Sequence, residues 1–478
     1  MKESVFKAYD IRGIYPEEIN EEVAERIGRA FVELTKAKKV LVGEDARVST
    51  PKLRDALVRG VSWAGADVVL AGQVTTPMFY FGVAEMNIAL RQGSGPVAGI
   101  MVTASHNPGK YNGFKMVRGN AMPIEPKELV PIITNYELHP PAGGTNYEKK
   151  GQIKKINVLD KYIEKLFSLV NASQIKELKM AIDAGNGMAG IILPQLLERI
   201  PQIMTEGLYF DTDMSFPNHE ANPLKEETLK DLKKKVRDSG AHIGVAYDGD
   251  GDRVGFVDEL GNVISADIAF CVILPELLEK YPGSAILYDL RCSKILPEEI
   301  KRLGGKPRMT RVGHAFIKKQ LKEADGAGAA ELSNHFYFRD FYGVECADLV
   351  VLYLLIEISK QNKPLSRIVE PFKKYYQSGE INFEVEDKSG KTKELKEKYK
   401  KSSSDFTDID GIRIEFKVDS PSTSSRLGSR TTGQSQNDWW WFNVRPSNTE
   451  PLLRLNVEAS DKKLLAEKVK ELSKIIRK

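Results

Sequence analysis

The sequence predicts an α/β chain in which three related mixed α/β domains precede a smaller C-terminal α+β domain. The first part of that reading rests on three stretches with one grammar: a short apolar strand, a turn rich in Gly, Asp or Ser, then an amphipathic helix-like run. The strands are Val40, Leu41 and Val42 leading into GEDARVSTP, Met180, Ala181 and Ile182 leading into DAGNGMAG, and residues 285–288 leading into DLRCS. Such alternation builds partly parallel sheets whose ligand loops lie at the carboxyl ends of the strands. The second part rests on a change of character near residue 380. A charged helix over 386–401, strands over 411–418 and 439–444, a loop, a further strand and a terminal helix follow one another there. The terminal helix carries an apolar stripe of Leu464, Leu465, Val469, Leu472 and Ile476, as core packing requires.

Pro/Gly-rich or charged connectors at 139–144, 258–262 and 373–379 set the expected domains at residues 1–145, 155–257, 258–372 and 378–478. Between the strands at 411–418 and 439–444 lies SPSTSSRLGSRTTGQSQND, which has almost nothing to bury and reads as a mobile, inert hairpin extension.

Composition narrows the function classes. The chain's 478 residues are ample for several buried cores. Lys and Arg number 70 against 66 Asp and Glu, and a formal charge of +4 is too small at this size to imply a nucleic-acid or membrane partner. Any anion selectivity must therefore be local. Cys271, Cys292 and Cys346 have neither disulfide-framework nor zinc spacing and read as small core residues in a reducing compartment. The N-terminal MKESVFKAYDIRG lacks an apolar signal-like region, and no run reaches the length of a membrane span, so a cytoplasmic protein is expected. Whether it is a monomer or a small homo-oligomer is open at this level.

Residues 244–253, GVAYDGDGDR, place Asp248, Asp250 and Asp252 at alternate positions of a glycine-padded loop after an apolar strand. Hard divalent cations take oxygen ligands, and the glycines let the backbone bend until alternate carboxylates converge. Three crowded anions are unfavourable without a cation. An EF-hand is excluded although Glu259 falls at the twelfth position, because Arg253 stands at the sixth, where glycine is needed, and the flanks read as strands.

Three more loops carry chemistry. TASHNP offers Ser105 as a nucleophile or phosphate carrier, which a base, a cation or prior modification would have to activate. RPSNTEP presents Arg445, Ser447, Asn448 and Thr449 with turn N–H groups, a set that suits a phosphate dianion, with Arg454 nearby. AELSNH puts Glu331, Ser333 and His335 at alternate positions, on one face if the segment is extended, and such acceptors and donors suit a sugar's vicinal hydroxyls. Taken singly, each also fits a structural turn or a satisfied polar cluster.

In this order the four loops resemble those of the α-D-phosphohexomutase family, most closely its phosphomannomutase/phosphoglucomutase branch, over nearly the whole chain. AYDIRG, GEDARVSTP, FPNHEANP and RVGH add to the resemblance. It implies four domains around a central cleft, each donating one loop. It also implies that Ser105 is phosphorylated and that Asp248, Asp250, Asp252 and a phosphoserine oxygen hold Mg2+, with Arg253 beside the phosphoryl group. Lys115, Arg12, His106 and His314 match positions around the reacting hydroxyl, Lys115 as the general acid/base with its pKa depressed by neighbouring cations. Glu331 and Ser333 match the sugar contacts, with His335 in the same loop, and Arg291 stands where relatives carry a basic residue. In the family the sugar loop reads Gly-Glu-x-Ser-Gly-His, whereas Ala330 and Asn334 stand in place of its glycines. Asparagine tolerates a left-handed backbone and alanine does not, so Ala330 weakens the assignment of substrate relative to that of reaction.

The implied activity is reversible interconversion of hexose 1-phosphate and hexose 6-phosphate, mannose first and glucose also, through a hexose 1,6-bisphosphate. A glucosamine or N-acetylglucosamine phosphate mutase is the alternative within the class. A phosphatase using the same serine and a non-catalytic sugar-phosphate sensor are the alternatives outside it.

Overall fold

The computed structural model describes residues 2–89, 95–138, 151–417, 438–447 and 452–477. The expected connector at 139–144 and nearly all of the Ser/Thr/Gly extension lie outside the described residues.

Three of the four sheets repeat one topology. In the first unit, strand Lys39–Glu44 is central, Asp67–Gln73 and Val97–Val102 lie parallel to it on either side, and Tyr111–Arg118 turns back antiparallel on the latter. The second unit repeats this with Leu178–Asp183, Ile203–Leu208, Ile243–Tyr247 and Val254–Asp258. The third does so with Ala285–Asp289, Lys306–Thr310, Gly328–Glu331 and His335–Phe338. Helices connect the parallel strands and cover the sheets, so Val97–Val102, Ile243–Tyr247 and Ala285–Asp289 are buried along their whole length. Each antiparallel strand takes one further edge strand, Ile11–Ile14, Val263–Ile264 and Val344–Glu345 respectively.

Two details depart from the sequence reading. Residues 258–262 are a hairpin turn inside the second sheet and not a connector: Asp258 Oδ1 accepts from the N–H groups of Leu260 (3.1 Å) and Asn262 (2.8 Å), and Val263–Ile264 pairs back onto Val254–Asp258. Strand Ile153–Lys155, whose last residue is the expected start of the second domain, extends the edge of the first sheet beside residues 68–70.

The first three units share a continuous apolar core that runs through helix Leu159–Leu169. At its centre, Asp348 accepts hydrogen bonds from Tyr162 (2.7 Å) and Tyr247 (3.0 Å), tying the third unit to the strand that ends at the aspartate loop. The fourth unit is an antiparallel sheet in the order Tyr376–Gln377, Leu452–Ala459, Trp439–Pro446, Ile412–Lys417, Asp405–Thr407, with Ile381–Glu384 also on Leu452–Ala459. Its separate core includes Leu472 and Ile476, fully buried, with Leu464, Leu465 and Val469 packed partly buried against it. It docks on the third unit through Arg413, which donates to the carbonyl of Leu290 and lies 3.7 Å over the Trp441 ring. Cys271, Cys292 and Cys346 are all buried and free. No described helix is long and apolar enough to cross a membrane.

Candidate active site

The repeated topology places the chemistry. In each of the first three units the loop between the third parallel strand and its antiparallel partner carries the singled-out residues: 103–110, 248–253 and 332–334. The three loops approach one another, Ser105 of the first meeting Asp248 of the second at 3.0 Å and His335 of the third lying 3.5 Å from Asp252, while Arg445 at the end of strand Trp439–Pro446 in the fourth unit lies 3.6 Å from Glu380.

Ser105 is 2 % exposed and sits in the left-handed region at φ 53°. Its Oγ donates to Asp248 Oδ2 at 3.0 Å and lies 3.1 Å from His106 Nδ1. The loop is clamped from below by Arg47, whose guanidinium donates to the carbonyls of Ser105 (2.7 Å), Asn107 (2.6 Å), Pro108 (2.9 Å) and Tyr111 (3.1 Å) while Asp45 neutralises it. Arg12, paired with Asp10, adds bonds to Ala104 O (3.3 Å) and Asn107 Oδ1 (2.8 Å). Against this loop the aspartate loop packs backbone to backbone. A Cβ on Gly249 would stand 2.5 Å from the Ser105 carbonyl oxygen, so only glycine permits the approach.

Asp248, Asp250 and Asp252 are buried, and one carboxylate oxygen from each lies within 4.8 Å of the others, a set that can hold a metal ion. Asp250 Oδ1 and Asp252 Oδ1 are buried without a hydrogen-bond partner among the described residues, the latter with long contacts to His335 Nε2 at 3.5 Å and Arg253 Nε at 3.9 Å. Orphaned carboxylate oxygens facing one another fit a hard divalent cation. Glu259, by contrast, is turned away to Ser366. Lys115 Nζ is the present counter-ion, 2.6 Å from both Asp250 Oδ2 and Asp252 Oδ2. Burial alone would push its pKa down, but these two carboxylates outweigh burial and hold it well above the ordinary lysine value. This reverses the sequence expectation, which counted the neighbouring cations and overlooked how closely the aspartates approach. Arg253 pairs with Asp248 at 2.9 Å and also contacts His106. Burial, then the charges of Arg253 and Arg12, push His106 well below the ordinary histidine value, so it is neutral.

The third-unit loop is a hairpin and not an extended segment. Asn334, at φ 67°, reverses the chain, and Glu331 and His335 become directly opposed partners of the two strands. They still converge: His335 Nδ1 lies 3.1 Å from Glu331 Oε2 and 2.9 Å from Ser333 Oγ, and its Nε2 faces Asp252. Burial opposes the imidazolium, but Asp252 and Glu331 outweigh it and raise His335 to about 9. Glu331 also accepts from Gly313 N (3.0 Å) and Tyr337 Oη (3.0 Å). Ala330 lies inside strand Gly328–Glu331 and outside the positive-φ region, so the backbone at this position makes no demand for glycine. His314 stands behind His335, ring centroids 6.4 Å apart, with Nδ1 3.6 Å from Glu345.

Arg291, bidentate to Asp289 at 2.9–3.0 Å, Arg445 and Arg454 converge from the third and fourth units on the carboxylate of Glu380. Ser447 is buried beside them in sequence, its N–H donating to Leu452 O at 2.8 Å. Asn448 and Thr449 lie outside the described residues. Sequence reasoning assigned no role to Arg47 or Thr76. Arg47 stood inside a motif already singled out. Thr76 gave no local signal, because its hydroxyl reaches Asp250 Oδ2 (2.6 Å) only through the packing of the first unit on the second.

Family models described as phosphoglucomutase/phosphomannomutase alpha/beta/alpha domains I, II and III match residues 3–139, 160–261 and 265–375, and the C-terminal domain model matches 380–475. A phosphomannomutase from Methanocaldococcus jannaschii is 38 % identical over 99 % of this chain and 98 % of its own. The chain belongs to the phosphoglucomutase/phosphomannomutase family. A phosphomannomutase/phosphoglucomutase from Pseudomonas syringae pv. tomato is 33 % identical over 96 % of this chain and 92 % of the relative. Among solved structures, a phosphoglucomutase/phosphomannomutase family protein from Burkholderia thailandensis superposes with a TM-score of 0.83 at 31 % identity, covering 100 % of this chain and 98 % of that one. The phosphoglucomutase/phosphomannomutase fold thus spans all four units.

Proposed function

We propose that the protein is a phosphohexomutase that interconverts hexose 1-phosphate and hexose 6-phosphate, mannose first and glucose also, through phosphorylated Ser105 and a hexose 1,6-bisphosphate. The observation that carries this reading is the serine hydroxyl 3.0 Å from a carboxylate of the three-aspartate cluster, in a chain that also gathers Arg291, Arg445 and Arg454 into a second anion site around Glu380. A phosphatase needs the first feature alone. A mutase needs both, because the phosphate that is not reacting must be held while the other end of the sugar meets the serine.

In the outward step the sugar hydroxyl attacks the phosphorus carried by Ser105, the bond from phosphorus to Oγ breaks, and the hydroxyl proton passes to Lys115 in its neutral amine form. Arg253, which pairs with Asp248 at 2.9 Å, donates to the transferring oxygens in this scheme. With Mg2+ held by Asp248, Asp250 and Asp252, the charge on those oxygens would be offset and Lys115 would lose the counter-ions that keep it protonated. Glu331, Ser333 and His335 grip the sugar hydroxyls in either orientation, and Arg291, Arg445, Ser447, Asn448, Thr449 and Arg454 bind the distal phosphate. After the bisphosphate turns over, its other phosphoryl group returns to Oγ, and Lys115 gives back the proton to the hydroxyl left on the sugar. Arg12 and Arg47 fix the serine loop, while neutral His106 accepts rather than repels beside Arg253.

A coupled assay across mannose, glucose, glucosamine and N-acetylglucosamine phosphates tests the proposal. Isomerised mannose phosphate is expected, together with a phosphoryl adduct at Ser105 after priming with hexose 1,6-bisphosphate. Release of inorganic phosphate without isomerisation, or turnover undiminished in Ser105→Ala, would remove it.

A further inference from the structure

Three guanidiniums meet at the junction of the third and fourth units. Arg445 and Arg454 are directly opposed on antiparallel strands, where like charges repel. Arg291 reaches them from the loop after strand Ala285–Asp289, and burial together with its charge pushes the pKa of Arg445 below the ordinary arginine value. Asp289 and, at 3.8 Å, Glu331 offset part of the Arg291 charge, and the carboxylate of Glu380 lies within 4 Å of all three arginines. Glu380 Oε2 lies 3.6 Å from both Arg291 Nη1 and Arg445 Nη2, and Oε1 lies 3.2 Å from Arg454 Nη1.

This carboxylate fits the site loosely. None of its contacts with the three arginines is shorter than 3.2 Å, whereas Asp289 holds Arg291 through two bonds at 2.9–3.0 Å. The Nε of Arg445 is buried without a hydrogen-bond partner. Glu380 is also placed to leave. Its side chain is 27 % exposed, and it follows Gly379 at φ 67° in the turn between Tyr376–Gln377 and Ile381–Glu384, the two short strands of the fourth unit that pair with Leu452–Ala459.

We infer that Glu380 is a built-in competitor: its carboxylate occupies the arginine site that the non-reacting phosphate of the substrate takes, and the phosphate displaces it on binding. This rests on the proposed function for the identity of the displacing anion. A phosphate dianion brings more charge than one carboxylate and enough oxygens to satisfy all three forks, so the exchange favours the ligand. Glu380 meanwhile keeps the empty cluster from repelling itself and lowers the affinity for every anion by the energy of its own contacts.

Glu380→Gln in the whole protein, which keeps the side-chain volume and removes the charge, tests the inference. Inorganic phosphate and mannose 6-phosphate are titrated separately by calorimetry, and KM is measured beside kcat. A several-fold fall in Kd for both ligands and a parallel fall in KM, without a rise in kcat, are expected. Unchanged or weaker binding overturns the inference and makes Glu380 a residue that merely orients the arginines. Should the variant fail to fold, hydrogen exchange of residues 376–381 in the unaltered protein decides: saturating phosphate speeds exchange there if Glu380 is expelled, and unchanged or slower exchange refutes expulsion. Tighter phosphate binding in a protein that never isomerises sugar phosphates would leave this inference standing and remove the proposed function. Turnover with no change in binding would remove the inference alone.

Discussion

Ser105 adopts φ 53°, a conformation in which a side chain crowds its own backbone at a cost of about 1–2 kcal/mol. The loop tolerates this because Arg47 gathers four carbonyls around it and Thr103 Oγ1 accepts from the Ser105 N–H at 3.0 Å. The strain aims Oγ at the aspartate cluster. Two substitutions separate strain from chemistry: Ser105→Ala removes the hydroxyl and keeps the strain, whereas Ser105→Gly removes both. Urea denaturation should place Ser105→Gly about 1 kcal/mol above Ser105→Ala, with neither able to accept a phosphoryl group, and equal midpoints would show that the backbone there is unstrained. Arg47 acts on the same loop without touching a reacting atom. Its planar fork spans carbonyls that an ammonium cannot reach together, so Arg47→Lys should lower kcat roughly 10- to 100-fold with little change in KM. Steady-state kinetics checks it, and a rise in KM with kcat intact would move Arg47 from positioning to binding.

At the scale of elements, the hairpin turns of three related sheets are what the sequence showed most clearly and misread most instructively. The apolar runs before residues 103, 248 and 332 marked strands, and the residues after them marked chemistry, so both halves of the site were legible. Hidden from view was the relation between loops. That Lys115 would face Asp250 and Asp252, or that Thr76 would bond Asp250, depends on how units pack, and no local pattern encodes packing across such separations. The turn around Ser333 and Asn334 shows the same limit in miniature. Alternation read as an extended face became a reversal once Asn334 took a left-handed backbone, while Ala330 turned out to be an ordinary buried strand residue. Asn334→Gly should therefore preserve stability, and Asn334→Val should cost about 1–3 kcal/mol. Ala330→Gly, which would restore the family pattern, should instead cost about 0.5–1 kcal/mol because a strand interior gains nothing from glycine. Denaturant midpoints of the three variants check both statements, and a stabilising Ala330→Gly would contradict the strand assignment.

Across the whole molecule, the first three units share one core, whereas the fourth has its own and is attached through a polar junction. The junction centres on Glu458, which is fully buried; its Oε2 accepts from Trp441 Nε1 at 2.6 Å and Lys294 N at 2.9 Å, and its Oε1 has no hydrogen-bond partner. Burial raises the Glu458 pKa to about 7 from an ordinary value of 4.5, although the donors around it pull the other way. The sign follows from proton counting. Between about 4.5 and 7 the docked form keeps a proton that the unfolded form has released, so stability falls as pH rises through that window and then levels off. At about 1.4 kcal/mol per unit, the loss is up to about 3 kcal/mol. Trp439, Trp440 and Trp441 all lie in the fourth unit and leave only Trp63 elsewhere, so tryptophan fluorescence reports chiefly on this part of the chain. Urea midpoints followed by fluorescence should decline from pH 4.5 to pH 7 in the unaltered protein. In Glu458→Gln, which is neutral throughout and keeps the acceptor for Trp441, that decline should shrink, and the variant should be the more stable at pH 8. Parallel pH profiles for the two proteins would mean that Glu458 is ionised in the docked state, with Arg413 supplying enough charge to hold it so.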